Sequence, residues 1–497
     1  MVARVLFCVF GFVFVQTALA RGGDWKVVYS SSDGLEGRAL EVLTEGMGKY
    51  LLREGRNSVY FVLPLERVGG PVVAKRHAVV IGRPDENPDV RRLLGQTAVP
   101  PGGYVIRSCQ EGSSRKIVLA GDTPSAVLWA VFDFLDVALV EMCDRVRDAS
   151  EWKKIYVGEF FDHEDGPSYE RVRRPQTPVR SVFSWGHVVD DYRMFFREMA
   201  RNRFNRVILW NEHPPVNATE VVKEAHAWGL ELLWGFAWGW STEDCVHSKT
   251  DDLKALGDKV FAEWRDVWRP LGGDGIYFQS FTEQTRTRIG SRSVAEMVVE
   301  LVNDVSSRIH RENPKLNIVF GLHATSVVDD LETVSSVDPS LEILWENCGE
   351  KFGGFPYYEV DDRPDDAFVK RILDLGHRSG LVWKCQLRQD WSRWEHQSGA
   401  YVLGHAGKDL LKRDRSVAAP LHRFYEELWM RRGEEAYDHI RTVRNSGRQP
   451  VEFNAVAEHN PPFSYPTVVQ AELFWNSEDS WDDIQRRARL RVSGSER

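Results

Sequence analysis

The chain has few of the features that mark metal-binding, nucleotide-binding and membrane-spanning proteins. It contains 6 cysteines among 497 residues, and the odd number that follows Cys8 includes no CxxC pair. Their spacing leaves room for one disulfide but indicates no zinc site. No glycine-rich loop follows any predicted strand, which disfavours a nucleotide-binding fold. Beyond the N-terminal segment, no apolar run approaches the ~18 residues of a transmembrane helix.

Positive charge is outweighed by negative charge. Lys and Arg total 64 against 73 Asp and Glu, which gives a formal net charge of −9. No basic stripe stands out from the surrounding acidic residues, so we expect no nucleic-acid partner. The hydrophobic content of 42% over 497 residues is enough for the cores of two domains.

The N-terminus has the pattern of a secretory signal peptide, residues 1–20. Arg4 precedes the apolar run Val5–Val15, and Ala18-Leu19-Ala20 is typical of a cleavage site. We therefore expect cleavage after Ala20 and a secreted or periplasmic mature protein that is not held in a membrane.

Residues 21–161 are predicted to form a small α/β domain. Short apolar runs bounded by turn residues indicate strands, and Pro124 precedes a helix with a broad apolar face, Ser125 to Asp136. A charged, Pro- and Arg-rich stretch, 162–179, is predicted to be the linker to the next domain. The predicted strands are Trp25 to Tyr29, Val59 to Leu63, Ala78 to Ile81, Tyr104 to Arg107, Lys116 to Ala120 and Ile155 to Val157.

Residues 180–490 alternate between short apolar strands and amphipathic helices. This alternation predicts parallel strands whose C-terminal ends share one face, in an α/β fold. Eight strand-like segments predict a (β/α)8 TIM barrel, and an open doubly wound sheet is the alternative. The segments are Val182 to Trp185, Val207 to Asn211, Leu232 to Trp238, Ile276 to Glu283, Leu316 to Leu322, Leu341 to Asn347, Leu381 to Gln386 and Val451 to Ala457.

Three carboxylates stand at the ends of these predicted strands: Glu283 after the fourth, Glu346 on the sixth and Asp390 after the seventh. Glycosidic bond cleavage needs one carboxylic acid to protonate the leaving oxygen and a second group to activate water or to attack. Burial and like-charged neighbours raise the pKa of one carboxyl enough to keep it protonated. We therefore predict that Glu283 is the acid, with Glu346 and Asp390 as base or orienting residues.

Each carboxylate also has a structural interpretation. Glu283 could cap the next helix, but that helix is predicted to begin near Ser293, which is too distant. Glu346 could pair with an Arg or Lys on the barrel rim, or orient Asn347. Asp390 lies in a charge-rich stretch that is typical of a solvated loop.

Tryptophan is abundant, with 18 in the chain, many of them at predicted strand ends. A single Trp is usually a core residue, but a cluster at one barrel face offers flat surfaces for sugar rings. Asn and His side chains at strand ends can hydrogen-bond hydroxyls or carry protons, although a lone His is more often structural. Glu212 with the His residues matches no metal motif, and no metal or cofactor is predicted. The predicted substrate-binding residues are Trp185, Trp210, Asn211, His213, Trp234, Trp238, His323 and Trp345.

Several segments resemble glycoside hydrolases of the alpha-glucuronidase type and the related bacterial beta-hexosaminidase-like proteins. The N-terminal segments are Val79 to Pro84, Gly103 to Ile106 and Leu119 to Pro124, and the barrel segments are Gln279 to Gln284 and Ala471 to Asn476. The resemblance implies a small α/β domain before a (β/α)8 barrel, with the acid on the fourth strand. Thr282 stands where the beta-hexosaminidases carry an Asp before their Glu, so their substrate-assisted mechanism does not follow from the resemblance.

Taken together, the sequence predicts a secreted glycoside hydrolase that acts on a polysaccharide- or glycan-derived sugar. The resemblance favours a glucuronide or an N-acetylhexosaminide as its substrate. Two alternatives are a carbohydrate-binding protein on a degenerate barrel, whose carboxylates only hydrogen-bond sugar, and a barrel hydrolase of another bond.

Overall fold

The structure of the protein, a computed structural model, consists of two compact units. One unit contains residues 1–175 and 493–497, and the other contains residues 176–492. The predicted signal peptide lies outside the described residues. The structure describes residues 25–52, 65–67, 77–144, 168–184, 189, 191–210, 213–239, 253–282, 286–323, 326–327, 329–347, 365–383, 405–456 and 462–495.

The N-terminal unit is built on a mixed sheet with the strand order β2-β1-β3-β5-β4-β6. β1, β2, β3 and β5 run parallel, whereas β4 pairs antiparallel with both β5 and β6. The strands are β1 Trp25–Tyr29, β2 Leu65–Arg67, β3 His77–Gly82, β4 Tyr104–Glu111, β5 Ser114–Gly121 and β6 Tyr169–Arg173. The helices are α1 Gly34–Leu52, α2 Pro88–Leu94, α3 Pro124–Asp133 and α4 Leu139–Asp144.

Local sequence signals account for the helices of this unit. The Thr123 hydroxyl accepts the backbone N–H of Ala126 at 3.2 Å, and Pro124 is the first residue of α3. A π-helical turn, Phe134–Ala138, joins α3 to α4, so the helix predicted to end at Asp136 continues beyond it. The neighbouring strands β3, which is buried after His77, and β5, which is buried throughout, supply much of the core.

The structure revises the predicted elements near the domain boundary. β6 lies inside the stretch that the sequence analysis assigned to a linker, where it pairs in register with β4. Its alternation of buried and exposed side chains is that of an edge strand. The strands predicted at Val59 to Leu63 and Ile155 to Val157 lie outside the described residues.

The second unit is a closed barrel of eight parallel strands, in the order β10-β13-β14-β15-β16-β7-β8-β9. The pairing of β9 with β10 closes it, with Gly275 opposite Leu233 and Ser280 opposite Trp238. The predicted TIM barrel after a small α/β domain is therefore confirmed. The barrel strands are β7 Val179–Phe183, β8 Arg206–Trp210, β9 Glu231–Trp238, β10 Gly275–Ser280, β13 Asn317–Leu322, β14 Glu342–Asn347, β15 Arg378–Trp383 and β16 Glu452–Val456.

Helices follow the strands, as the sequence alternation predicts. α8 begins with a capping box, in which Ser293 and Glu296 satisfy each other's backbone N–H groups. The 41-residue helix α11 has no counterpart in the sequence analysis. No helix in the described ranges is long and apolar enough to cross a membrane. The helices are α5 Tyr192–Arg201, α6 Ala218–Ala227, α7 Leu253–Glu263, α8 Val294–Glu312, α9 Leu331–Val334, α10 Asp365–Asp374, α11 His405–Asn445, α12 Tyr465–Trp475 and α13 Trp481–Ser495, with a short hairpin of β11 Arg288–Ile289 and β12 Arg292–Ser293 before α8.

The middle of the barrel lumen is apolar, and alternate residues of the strands fill it. The strand residues that alternate with these lumen-facing residues point outward, toward the surrounding helices. In this outer layer, Trp238 stacks on Phe278 with ring centroids 3.5 Å apart, and Phe278 stacks on Phe320 at 5.1 Å. The lumen cluster contains Phe183, Ile208, Trp210, Leu233, Tyr277, Val319, Leu344 and Val382.

A buried ion cluster lies at the N-terminal ends of the strands. Arg206 pairs with Glu452 and, at 3.3 Å, with Glu342, and its Nε contacts Glu231 at 3.0 Å. Ser181 donates to Glu452. Burial and the neighbouring Glu452 raise the pKa of Glu342 to about 8. Since this end of a barrel contributes to stability rather than to catalysis, we interpret the cluster as structural.

A second buried cluster fixes the last helices to the barrel. Glu472 on α12 is fully buried and pairs with Arg203, Arg487 and Arg491. The guanidinium of Arg203 also lies 5.1 Å from the ring of Trp475. The segment Ala471 to Asn476, which carries part of the family resemblance, therefore has a structural role in this chain.

We predict that Glu342 makes the stability of the protein dependent on pH. The folded state holds the Glu342 proton more tightly than the unfolded chain does. Its contribution is therefore complete near pH 4 and is lost as the pH rises toward about 8. Glu342→Gln should remove a slope of up to ~1.4 kcal/mol per pH unit in that window. Urea unfolding of both proteins between pH 5 and 8 measures this difference, and parallel curves for the two proteins would contradict it.

Candidate functional site

A buried carboxylate, Glu346, lies at the C-terminal ends of the barrel strands and is held by three neighbours. Its Oε1 accepts hydrogen bonds from the Tyr277 hydroxyl and from Gln279 Nε2. Its Oε2 lies 2.7 Å from His323 Nε2. Gln279 Nε2 is also 3.1 Å from that ring nitrogen. We call these four residues the mouth cluster.

The positions of the mouth cluster follow from strand geometry. Tyr277 and Gln279 alternate on β10, so both face the lumen. His323 directly follows β13, which pairs with β10 on one side and with β14, the strand that carries Glu346, on the other. Three adjacent strands therefore bring together residues that are 69 positions apart in the chain.

Gly321 on β13 makes the space for this cluster. A Cβ atom at this position would lie 2.8 Å from Glu346 Oε1, and closer still to the Tyr277 hydroxyl. Any side chain at 321 would therefore displace one of these two groups. The glycine is needed for the close approach of its neighbours.

Burial and the adjacent Glu346 carboxylate raise the pKa of Tyr277 well above its ordinary value. The phenol is therefore protonated at any physiological pH and remains a donor to Glu346. Within the described ranges, no group of three His, Cys, Asp or Glu side chains is placed to hold a metal ion.

Among the described residues that were predicted as aromatic platforms, Trp210 lies in the lumen. Its ring centroid lies 6.0 Å from that of Tyr277 and 6.2 Å from that of Phe183, edge-on in both cases. A Cβ at position 235 would come within 2.8 Å of the indole, so Gly235 leaves room for this ring. Trp210 thus adjoins the mouth cluster through Tyr277.

Three other predicted platforms have the opposite parity and face away from the lumen. Trp234 donates its Nε1–H to the Gly272 carbonyl at 2.9 Å and packs against Trp268 at 5.9 Å. Trp238 belongs to the outer aromatic stack on Phe278. Trp345 alternates with Glu346 on β14. These three tryptophans are therefore core residues between the strands and helices, and they do not line the mouth cluster.

The remaining predicted site residues are partly outside the described ranges. Glu283, Asp390, Trp185 and Asn211 all lie outside them. His213 is described and is exposed beyond the C-terminal end of β8. None of these residues is among the four of the mouth cluster.

The backbone next to Glu283 is fixed at the barrel mouth. Thr282 is buried, and its carbonyl accepts the Ser326 hydroxyl at 2.7 Å. Because Ser326 follows β13, this bond ties the end of the β10 segment to the loop after the neighbouring strand. The chain therefore reaches the mouth of the barrel one residue before Glu283.

Glu346 and His323 were predicted from the sequence as site residues, whereas Tyr277, Gln279 and Gly321 were not. Tyr277 and Gln279 share the parity that places side chains in the lumen, and this is a signal in the sequence. Gly321 interrupts an otherwise apolar strand, which is a sign of close approach by another group. Neither signal identifies a contact with Glu346 until the pairing of β10, β13 and β14 is known.

No protein-family model matches the chain, and no curated protein matches its sequence. Solved structures match its fold. CpGH84B has a TM-score of 0.50 at 10% identity, over 93% of this chain and 70% of that one. BtGH115A, a 4-O-methyl-alpha-glucuronidase with specificity for decorated arabinogalactans, has a TM-score of 0.48 at 11% identity, over 91% and 57%. CpGH89 from Clostridium perfringens has a TM-score of 0.43 at 8% identity, over 78% and 47%.

CpGH84B reaches a TM-score of 0.50, and this match confirms the predicted resemblance to glycoside hydrolases at the level of the fold. Identities of 8% to 11% support nothing finer than the fold. The chain spans 52% of a further matched protein, CpGH84D, and 57% of BtGH115A. Activity and substrate must therefore be argued from the residues of this chain.

We predict that Gly321→Ala disrupts the mouth cluster. The added methyl group must displace the Tyr277 hydroxyl or the Glu346 carboxylate, which should lower the free energy of unfolding by ~1–3 kcal/mol. Gly257→Ala is the matched control, because its Cβ would meet the end of the Asp304 side chain at 3.1 Å within a helix. Denaturant unfolding compares the two variants with the wild type. Equal stability of all three proteins would show that the cluster has more room than the structure indicates.

Proposed function

We propose that this protein is an exported glycoside hydrolase that cleaves an O-glycosyl bond in a polysaccharide- or glycan-derived sugar. The observation that carries this proposal is the mouth cluster: a buried carboxylate with a Tyr, a Gln and a His at the C-terminal ends of a closed barrel. Active sites of such barrels lie at this end. The glycoside hydrolases that share the fold support the same class of reaction.

Hydrolysis of a glycoside requires an acid that protonates the leaving oxygen. We assign this role to Glu283, because Thr282 places the backbone at the mouth and the segment resembles the acid-bearing strand of the alpha-glucuronidase type. Asp390 and Glu346 remain the candidates for the base or orienting residues. A glucuronide or an N-acetylhexosaminide is the favoured substrate class.

Trp210 is the described residue best placed to bind a sugar ring. It lies in the lumen beside Tyr277, whereas Trp234, Trp238 and Trp345 face the helices. Sugar rings present apolar faces that pack on indole. His213, Asn211 and Trp185 are proposed to complete the site around the mouth. The predicted signal peptide supports export.

Glu283→Gln should slow the hydrolysis of substrates with poor leaving groups by ~10²–10⁴-fold, because the amide cannot donate the required proton. The hydrolysis rate of aryl glycosides with acidic phenol leaving groups should fall less, since these phenols can leave as phenolates without protonation. A panel of aryl and alkyl glycosides with steady-state kinetics measures the difference.

The control for this experiment is Glu300→Gln, which removes an exposed carboxylate on α8 that pairs with Arg292. Undiminished alkyl glycoside turnover by Glu283→Gln would refute the assignment of the acid. Calorimetric binding of oligosaccharides by the wild type without product would favour the carbohydrate-binding alternative instead.

Trp210→Phe should weaken sugar binding by about 10-fold, equivalent to ~1.4 kcal/mol. The smaller ring loses stacking area in the lumen. Trp234→Phe is the matched variant and should lower stability, because it loses the hydrogen bond to Gly272, while KM is unchanged. KM values and unfolding curves for both variants separate the two roles. If KM changed in Trp234→Phe and not in Trp210→Phe, the assignment of sugar binding to Trp210 would be wrong.

A further inference from the structure

We propose that Glu346 is a positioning residue whose carboxylate holds the His323 imidazole in the Nε2–H tautomer, and that His323 is the member of this pair that contacts the substrate. The inference rests on the proposed function and refines it. The sequence is compatible with Glu346 as either a base or an orienting residue, and the surroundings of its two oxygens favour the second role.

Both oxygens of Glu346 lie against protein groups. Oε1 accepts from Tyr277 and Gln279, and Oε2 faces His323 at 2.7 Å. The Glu346 side chain is fully buried. A base or nucleophile must present an oxygen to water or to the anomeric carbon. An oxygen that is buried against an imidazole nitrogen is poorly placed for either task.

The donors also fix the protonation of the pair. Two donors converge on Oε1, an arrangement that favours the ionised carboxylate. An ionised Oε2 can only accept, so its 2.7 Å contact requires the proton on His323 Nε2. The Gln279 amide nitrogen, 3.1 Å from the same ring nitrogen, then directs its hydrogen to Oε1 of Glu346 and not to the imidazole. The lone pair of the neutral imidazole is then on Nδ1. A carboxylate that orients an imidazole in this way selects its tautomer.

Glu342 provides a comparison on the same strand. It lies at the base of β14, where its partner is the permanently charged Arg206. Glu346 lies at the mouth, where its partner is an imidazole that can gain or lose a proton. A structural contact at the base needs only a partner of fixed charge, whereas a titratable partner at the mouth is useful when its second nitrogen takes part in chemistry.

The first test measures the tautomer directly. In protein with ¹⁵N-labelled histidine, the His323 signal is assigned from its loss in His323→Gln, and we expect the Nε2–H form in the wild type. Glu346→Gln places an amide nitrogen opposite Nε2 and should shift the ring to the Nδ1–H form. A wild-type Nδ1–H tautomer would overturn the inference. This readout does not require turnover, so it stands even if no glycoside is a substrate.

The second test separates a positioning role from a chemical one. Glu346→Ala should lose ~10²-fold or more in kcat, with an altered pH profile, and azide or formate should not restore turnover. Small anions replace a missing carboxylate base or nucleophile, so rescue with a glycosyl azide product would overturn the proposal. Glu342→Gln, on the same strand, is the control and should keep the wild-type kcat and pH profile.

The two proposals can fail separately. In one outcome the wild-type protein turns over no glycoside, but His323 gives an Nε2–H signal that Glu346→Gln shifts. This outcome would count against the proposed glycosidase activity and would support the positioning of His323 by Glu346. An active enzyme whose Glu346→Asp variant keeps full kcat and an unchanged His323 signal would count against the positioning role alone.

Discussion

The alternation of side chains on a closed barrel is the constraint on which the site depends. Each strand residue faces either the lumen or the helices, and closure of the sheet removes any free edge that would permit a shift of register. Tyr277, Gln279 and Glu346 face inward for this reason. Trp234 and Trp238, on a neighbouring strand, face outward for the same reason.

The lumen is polar at both ends and apolar between them. At the base, Arg206 binds the carboxyl groups of Glu342 and Glu452, and at the mouth Glu346 is bound by uncharged donors and lies against an imidazole. The apolar middle layer, which includes Leu344, separates the two clusters. One strand, β14, therefore carries a structural carboxylate and a candidate functional carboxylate four residues apart, and their partners distinguish them.

Much of the architecture could be predicted from the sequence. All eight barrel strands were predicted as short, largely apolar runs, because parallel strands are buried on both faces, although the long helix α11 before the eighth strand was not predicted. Because both faces of each strand are buried, the sequence does not show which side chains face the lumen and which face the helices. Leu233 and Trp234 are both apolar, so their order does not reveal which of them faces the lumen. That information requires the register of the neighbouring strands.

The candidate site was only partly predictable. Glu346 and His323 stand at strand ends, where a polar residue after an apolar run is conspicuous. Tyr277 is an aromatic residue within a strand, and nothing local distinguishes it from a core residue. Its bond to Glu346 joins distant parts of the chain, and such a contact arises from the strand order and not from sequence spacing.

Because position 321 has no side chain, the residues at positions 277, 321 and 346 constrain one another during evolution. While Tyr277 and Glu346 keep their present contact, Gly321 has no acceptable replacement. A chain in which one of the two neighbours became smaller would release that restriction. In related proteins these positions should therefore change together, and a larger residue at 321 would identify a barrel that has abandoned this arrangement of its mouth.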